Sequence, residues 1–88
     1  MKEITMFHLL SCPHCRRALQ YLEELRAENP AYAAVPVTMV EEQQQKALAD
    51  SYDYYYVPAF FDGRRKLFEG AAQKQDVRAV LDAALADG

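Results

Sequence analysis

A short apolar run that meets a proline-initiated helix is the feature that most constrains the fold. Residues 4–9 are β-branched, aromatic or aliphatic apart from one histidine, and their apolar character on both faces is typical of a buried central strand. Pro13 follows closely and suits the first turn of a helix, where its missing N–H is no loss. Apolar residues then recur at helical spacing at Ala18, Leu19, Leu22 and Leu25. We therefore predict a strand that leads directly into a helix, which ends near Asn29-Pro30.

Two further segments predict an edge strand and a second helix. Residues 35–40 alternate in character, which favours a strand, and Pro36 places it at a sheet edge because proline cannot donate to a ladder. Residues 41–52 are polar and rich in helix formers, with acidic residues in the first turn. This second helix is expected to have only a thin apolar stripe.

The last third of the chain predicts a β-hairpin and a final helix. Residues 57–61 form the third predicted strand, and Asp62-Gly63 is a hairpin turn signal that leads into an antiparallel strand over residues 66–69. Gly70 ends that strand, and Asp76 begins a helix with a regular apolar stripe. The order β-α-β-α-β-β-α indicates the α/β class.

Length and composition exclude several classes of protein. The 88 residues predict a single domain, residues 1–88, and the 51% hydrophobic and 26% charged composition is ordinary for a globular protein. A net charge of −3 argues against a general binder of nucleic acid or acidic membranes, which needs a basic surface. We find no signal peptide and no apolar window of the roughly 20 residues that a membrane span needs. We therefore expect a cytoplasmic monomer.

The only two cysteines, Cys12 and Cys15, stand one helical turn apart at the predicted strand-to-helix junction. In a chain without a secretory signal, that spacing at that place is typical of a redox-active dithiol. The alternative is half of a zinc site, but structural zinc usually takes a full tetrahedral set of cysteine or histidine ligands. The only other soft ligands in the chain are His8 and His14. We predict thiol–disulfide exchange and no resident metal.

The position of each cysteine predicts its role. Cys12 stands where the positive end of the helix and its unpaired N–H groups stabilise a thiolate, which makes it the expected nucleophile. Cys15 is expected to be more shielded and to resolve the mixed disulfide by attacking the Cys12 sulfur. Pro13 and His14 lie between them as candidate residues for tuning the thiolate, and Arg17 is a candidate for holding a substrate carboxylate. A solvated surface residue is the alternative for both His14 and Arg17.

Two short motifs in this chain match those of a known type of redox site, both in their order and in their separation along the sequence. The first is Cys12-Pro13-His14-Cys15 with Arg17-Ala18 behind it, similar to a Cys-Pro-Tyr-Cys run followed by a basic residue and alanine. The second is Val57-Pro58 at the start of the third predicted strand. With these motifs the chain resembles the thioredoxin superfamily, most closely its small glutaredoxin-type members, over nearly all of residues 4–85. The resemblance implies a thioredoxin-like fold, a four-stranded mixed sheet flanked by helices, with Pro58 cis and lying against the dithiol.

The resemblance also implies an activity and a mode of binding. It implies an oxidoreductase that acts on protein or small-molecule disulfides, without a tightly bound cofactor, and with a reductase or glutathione as electron donor. A cis Pro58 would leave the Val57 backbone free to pair with an extended substrate strand. Tyr56 or a neighbouring tyrosine is a candidate for lining the substrate groove, because tyrosine offers a large rigid contact surface.

Departures from the family pattern bear on glutathione. Glutaredoxins typically carry a basic residue where this chain has Leu9, and a threonine where it has Tyr56. They also carry a glycine pair followed closely by an acid, and this chain has Glu69-Gly70 with Asp76 further on. Glutathione is therefore a possible co-substrate but is expected to bind poorly.

Two other functions compete with the redox prediction. The first is a metal or iron–sulfur module in which Cys12 and Cys15 supply ligands and a partner chain or glutathione supplies the rest. The second is a non-catalytic domain that docks partners through the cis-proline face and does not need both thiols. The metal content of freshly purified protein separates the first alternative from the redox prediction.

Overall fold

The chain folds into an α/β arrangement whose strands and helices alternate for most of its length. The computed structural model describes residues 2–86. Its elements are β1 (Ile4–His8), α1 (Pro13–Glu28), α2 (Pro30–Ala33), β2 (Val37–Glu41), α3 (Lys46–Asp50), β3 (Ala59–Asp62), β4 (Arg65–Glu69) and α4 (Lys74–Ala86).

The strands form one mixed sheet in the order β2-β1-β3-β4. Strand β1 pairs in parallel with β2 and antiparallel with β3, and β3 pairs antiparallel with β4. The central position of β1 agrees with its burial, since only Thr5 is partly exposed. Strand β2 lies at the edge, as the sequence predicted. The four-stranded mixed sheet flanked by helices is the predicted fold.

Side chains alternate between two apolar layers, one on each face of the sheet. Ile4 and Met6 point towards the layer that packs against α1 and α4, whereas Phe7 points the other way. The second layer is smaller and contains Phe7, Val40, Ala49, Ala59 and Phe61, with Tyr52 and Tyr54 packed against it. Burial on both faces explains the unbroken apolar character of β1.

The predicted helix over residues 41–52 is wrong for its first half. Strand β2 continues to Glu41, and only Lys46–Asp50 is helical. The Glu41 carboxylate accepts the backbone N–H groups of Gln43 and Gln44, so these donors are satisfied by a local turn. A side chain that bonds nearby backbone groups in this way competes with the helix ladder.

Prolines account for three further differences. Pro30 ends α1 as predicted but also begins α2, a short helix that the sequence reading missed; the Asn29 side chain caps it by accepting the Ala31 N–H at 2.9 Å. Pro36 precedes β2, and its C=O accepts the Ile4 N–H at 2.9 Å. Strand β3 begins at Ala59, because Val57 and Pro58 belong to the preceding loop.

The remaining boundaries differ by smaller amounts. Strand β3 ends one residue later and β4 begins one residue earlier than predicted, at Asp62 and Arg65. Strand β1 ends at His8, one residue before the predicted end, and α4 begins at Lys74. Asp76 therefore lies in the first turn of α4, where its Oδ2 accepts the Gln73 N–H at 2.9 Å. An acidic residue in a first turn is favoured by the helix dipole.

Candidate active site

The sheet brings the cysteine loop and the cis-proline loop to the same end of two neighbouring strands. Phe7 near the end of β1 pairs with Ala59 at the start of β3, so Pro58 lies beside the segment that leads to Cys12. The Val57-Pro58 bond is cis, as the resemblance implied. The Pro58 C=O accepts the Gly70 N–H at 2.9 Å, which ties this loop to the end of β4.

Cys12 and Cys15 are free thiols with different exposure. Cys12 is partly exposed and is the N-cap residue of α1, with extended backbone angles of φ −87° and ψ 118°. Its C=O accepts the Arg16 N–H at 3.1 Å, which closes the first turn. Cys15 is only 1% exposed. This is the predicted arrangement, an accessible thiol at the helix start with a shielded thiol one turn behind it, while the roles assigned to them stay predictions.

The environment of Cys12 favours its thiolate. Partial burial by itself would raise the pKa of Cys12, but four other interactions outweigh it. The backbone N–H and the thiol of Cys15 and the backbone N–H of His14 all donate to the Cys12 sulfur, and the charge of Arg16 adds to them. The pKa of Cys12 is consequently held below its ordinary value, as expected for a thiolate at a helix N-terminus.

The environment of Cys15 has the opposite effect. Burial, opposed in part by the Leu9 N–H, raises the pKa of Cys15 to about 12, and the negative charges of Cys12 and Glu42 act in the same direction as burial. The proton shared within the pair therefore stays on Cys15, and the negative charge stays on Cys12. This division suits an attacking thiolate and a resolving thiol that is activated only later.

The basic residue whose charge acts on Cys12 is Arg16, which the sequence analysis did not single out. The role predicted for Arg17, to hold a substrate carboxylate, stays a prediction. Arg16 follows Cys12 by four positions, so both lie on one side of the helix, and its guanidinium donates to the Leu10 C=O at 3.2 Å. Arg17 is exposed. His14 is exposed as well, and it stabilises the Cys12 thiolate through its backbone N–H. The helical spacing from Cys12 was the signal that distinguished Arg16.

Glu41 is a second residue that the sequence analysis missed. It is buried, with 7% exposure, at the end of β2, and its Oε2 accepts the Leu10 N–H at 3.1 Å. Together with the Gln43 and Gln44 bonds, this gives the carboxylate three backbone donors, which satisfy its charge. The Leu10 hydrogen bond is the main cause of its lowered pKa. Glu41 thus tethers the loop that carries Cys12 to the neighbouring strand.

His8 is packed at the end of β1, directly opposite Glu41 in the strand register. Its side chain is buried, and within residues 2–86 its Nδ1 has no hydrogen-bond partner.

The tyrosine run before the cis-proline divides into two pairs. The rings of Tyr52 and Tyr54 lie 4.7 and 4.9 Å from the Phe7 ring and pack against the smaller apolar layer. Tyr54 also donates its hydroxyl to Glu42 at 2.7 Å. Tyr55 and Tyr56 are 82% and 68% exposed and leave their rings at the surface. Tyr56, the predicted groove residue, is therefore accessible beside Val57.

The candidate metal ligands do not gather into a larger cluster. Across residues 2–86, no three cysteine, histidine, aspartate or glutamate side chains are placed to hold one metal ion. A metal on Cys12 and Cys15 would need its remaining ligands from another molecule.

None of the helices described is both long enough and apolar enough to cross a membrane.

The mixed sheet, the helix that begins at a Cys-x-x-Cys and the cis-proline loop together define a thioredoxin-like protein. Within that class, the family model for glutaredoxin matches residues 4–66, and the chain belongs to the glutaredoxin family. A solved structure described as that of a malarial protein is similar, with a TM-score of 0.69 over 93% of this chain and 94% of that chain. Its 14% identity supports the fold alone. A search of curated proteins finds no match. Membership of this family supports the general function of a thiol–disulfide oxidoreductase.

Proposed function

We propose that the protein is a thiol–disulfide oxidoreductase that uses Cys12 and Cys15 on disulfides of proteins or small molecules. The observation that carries this proposal is the pairing of a partly exposed thiol at the start of α1 with a buried thiol one turn behind it. Their pKa values are shifted in opposite directions, which is what sequential attack by two thiols requires.

In the first step the Cys12 thiolate attacks one sulfur of the substrate disulfide. A bond forms between the Cys12 sulfur and that sulfur, and the other substrate sulfur leaves as a thiolate that takes a proton from solvent. The product is a mixed disulfide. The hydrogen bonds and the Arg16 charge lower the Cys12 pKa and so raise the fraction of attacking thiolate at a given pH.

In the second step Cys15 resolves the mixed disulfide. Formation of the mixed disulfide removes the negative charge of Cys12, which is one cause of the raised Cys15 pKa. Cys15 then loses its proton and attacks the Cys12 sulfur, which releases the second substrate thiol. The substrate gains two electrons and the protein holds a Cys12–Cys15 disulfide. A reductase or glutathione is the proposed donor that returns it to the dithiol.

The backbone of Val57 supports binding of an extended substrate. Within residues 2–86, neither its N–H nor its C=O forms a hydrogen bond, although the Pro58 C=O beside it does. Unpaired backbone groups on an exposed loop can accept an added strand, which gives affinity without a strict sequence requirement.

The proposal is tested by mixing the reduced protein with a disulfide-bonded peptide and following the release of peptide thiols. We expect oxidation of one protein dithiol per peptide disulfide reduced, and no release by a Cys12→Ser variant. The metal alternative instead predicts zinc, copper or an iron–sulfur chromophore in freshly purified protein. The docking alternative predicts that partner binding survives replacement of both cysteines. Wild-type protein that releases no peptide thiols would contradict the proposal.

Glutathione is expected to be a weak partner. Leu9 is not basic, and the Glu69 carboxylate is already bonded to Lys66 and to two backbone N–H groups, so neither place offers a ready contact for glutathione charges. Calorimetric titration of the reduced protein with glutathione should give binding weaker than that of an ordinary reduced glutaredoxin measured alongside. Comparable affinity, or fast glutathione-coupled turnover, would show this expectation to be wrong.

The dithiol is expected to be more oxidising than that of thioredoxin, which stands near −270 mV, with a potential of roughly −230 to −150 mV. The stabilised Cys12 thiolate favours the reduced form. His14→Ala keeps the backbone N–H that bonds Cys12 and removes only the imidazole. The hypothesis that the imidazole also favours the Cys12 thiolate predicts that the couple becomes more reducing by about 20 to 40 mV, which corresponds to roughly 1 to 2 kcal/mol. Equilibration of both proteins with a glutathione redox buffer measures this, and an unchanged potential assigns the His14 side chain to the solvated surface.

A further inference from the structure

The Glu69 carboxylate at the end of β4 is bonded to the loop that precedes the cis-proline. Its Oε2 accepts the backbone N–H groups of Tyr55 at 2.8 Å and Tyr56 at 3.0 Å. Its Oε1 accepts the Lys66 ammonium at 2.6 Å. The two oxygens thus have separate partners, and Oε2 bonds only to the loop.

The strand register explains how Glu69 reaches this loop. Glu69 pairs with Ala59, the first residue of β3, and the next residue, Gly70, donates its N–H to Pro58. Gly70 has a positive φ of 100°, a conformation that glycine adopts readily, and the chain turns away there. The side chain of Glu69 therefore lies beside the residues that lead into the cis-proline.

These contacts fix the loop and leave both backbone groups of Val57 without a hydrogen bond within the described residues. The N–H groups of Tyr55 and Tyr56 and the C=O of Pro58 are occupied, whereas both backbone groups of Val57 are unpaired within the described residues. A loop held on both sides of Val57 presents that residue in one geometry. Such preorganisation reduces the entropic cost of binding an extended chain.

The same loop also presents an apolar surface. Four large hydrophobic side chains are exposed among residues 2–86, and three of them, Leu10, Tyr55 and Tyr56, lie in the two loops that flank the candidate site. Leu10 and the tyrosines have their backbone N–H groups bonded to Glu41 and Glu69 respectively. Carboxylates therefore hold the backbones from which the exposed side chains project.

We propose that Glu69 is a positioning residue that fixes the Tyr55–Tyr56 backbone. The fixed loop favours a disulfide within a polypeptide strand, which can pair with the Val57 backbone, over a small disulfide that has no strand to pair. The proposal rests on the proposed function and specifies its substrate class. Glu69 acts through the loop and makes no contact with the reacting sulfurs. A small disulfide needs only Cys12 and Cys15, so its reduction is independent of this contact.

The ionisation of Glu69 is consistent with a permanent contact. The Lys66 ammonium and the Tyr55 and Tyr56 N–H groups lower the pKa of Glu69 to about 2. A carboxyl group whose pKa falls on folding stabilises the fold above its unfolded pKa, and this contribution is lost as the pH falls through the folded value. The contact therefore persists throughout the neutral range and is lost only in strong acid.

The test compares the variants Glu69→Ala, Glu69→Gln and Asp62→Asn with the wild-type protein. Each protein reduces two substrates in turn, a disulfide peptide and hydroxyethyl disulfide, at steady state with an excess of a dithiol reductant. Asp62 is a matched control, because its carboxylate pairs with Arg65 and Lys2 at the other end of β3. Glu69→Ala should raise the KM for the peptide about tenfold with little change in kcat, which marks lost binding. Glu69→Gln should recover part of this loss because its amide oxygen still accepts N–H groups. Hydroxyethyl disulfide kinetics and the Asp62→Asn variant should match wild type.

A measurement on the wild-type protein keeps the test independent of whether Glu69→Ala folds. Amide hydrogen exchange at Tyr55 and Tyr56 should be at least about tenfold slower than at Val57, although the tyrosine rings are exposed. Equal exchange at the three amides, an unchanged peptide KM in folded Glu69→Ala, or an equal loss with both substrates would overturn the proposal. Wild-type protein that is inactive with both disulfides would instead refute the proposed function itself.

Discussion

Replacing Cys15 with serine is expected to turn the protein from a catalyst that turns over into a covalent trap. The Cys12 thiolate keeps its stabilising N–H groups and its neighbour Arg16, so the first attack still takes place. The thiol that resolves the mixed disulfide is lost, so the complex with substrate accumulates. Replacing Cys12 instead should reduce exchange strongly, because Cys15 is buried and burial, the largest cause of its raised pKa, remains in the variant.

The two variants are compared by incubating each reduced protein in cell extract, quenching with acid and separating the products without reductant. Cys15→Ser should yield higher-mass species that disappear on reduction, whereas Cys12→Ser and the double serine variant should yield none. Mass spectrometry of the trapped species identifies the substrates. Trapping by Cys12→Ser but not by Cys15→Ser would reverse the assigned roles.

The features that the sequence predicted correctly depend on local patterns. The buried strand before Cys12, the start of α1 at Pro13 and the edge position of β2 all follow from residue type and spacing within a few positions. The match of residues 4–66 to the glutaredoxin family agrees with the two short motifs that carried the resemblance. Local signals were sufficient to predict the main strands and helices and the position of the dithiol.

The contacts that the sequence did not predict join residues far apart in the chain. Glu41 bonds Leu10 across a separation of 31 residues, and Glu69 bonds Tyr55 across 14. In the sequence, Glu69 is noticed only as a departure from the glycine pair of glutaredoxins. Its contact with the loop depends on the register between β3 and β4, which is a tertiary property. The shortened α3 has a local origin instead, because the Glu41 side chain takes up the N–H groups of Gln43 and Gln44 in a turn.

Alkylation of the reduced protein is expected to modify Cys12 almost exclusively at neutral pH. The thiolate is the reactive form, and a cysteine with an ordinary pKa is already a few per cent thiolate at pH 7, compared with about 10⁻⁵ for a pKa near 12. Since the pKa of Cys12 lies below its ordinary value and Cys15 is also buried, the ratio of rates should be at least about 10³. Mass spectrometry after timed exposure to iodoacetamide measures both sites.

The pH profile shows which groups cause this difference. The Cys12 rate should rise with pH and level off below the value at which an ordinary cysteine does, since lowering a thiol pKa moves its titration to lower pH. Arg16→Gln should move this profile to higher pH, because the substitution removes a positive charge that favours the thiolate. Arg17→Gln is a matched change one position further along the helix, and it should shift the profile less. In denaturant the two cysteines should react alike, because their distinction arises from the helix start and from burial. Equal rates in the folded protein would remove the basis for assigning Cys12 as the nucleophile.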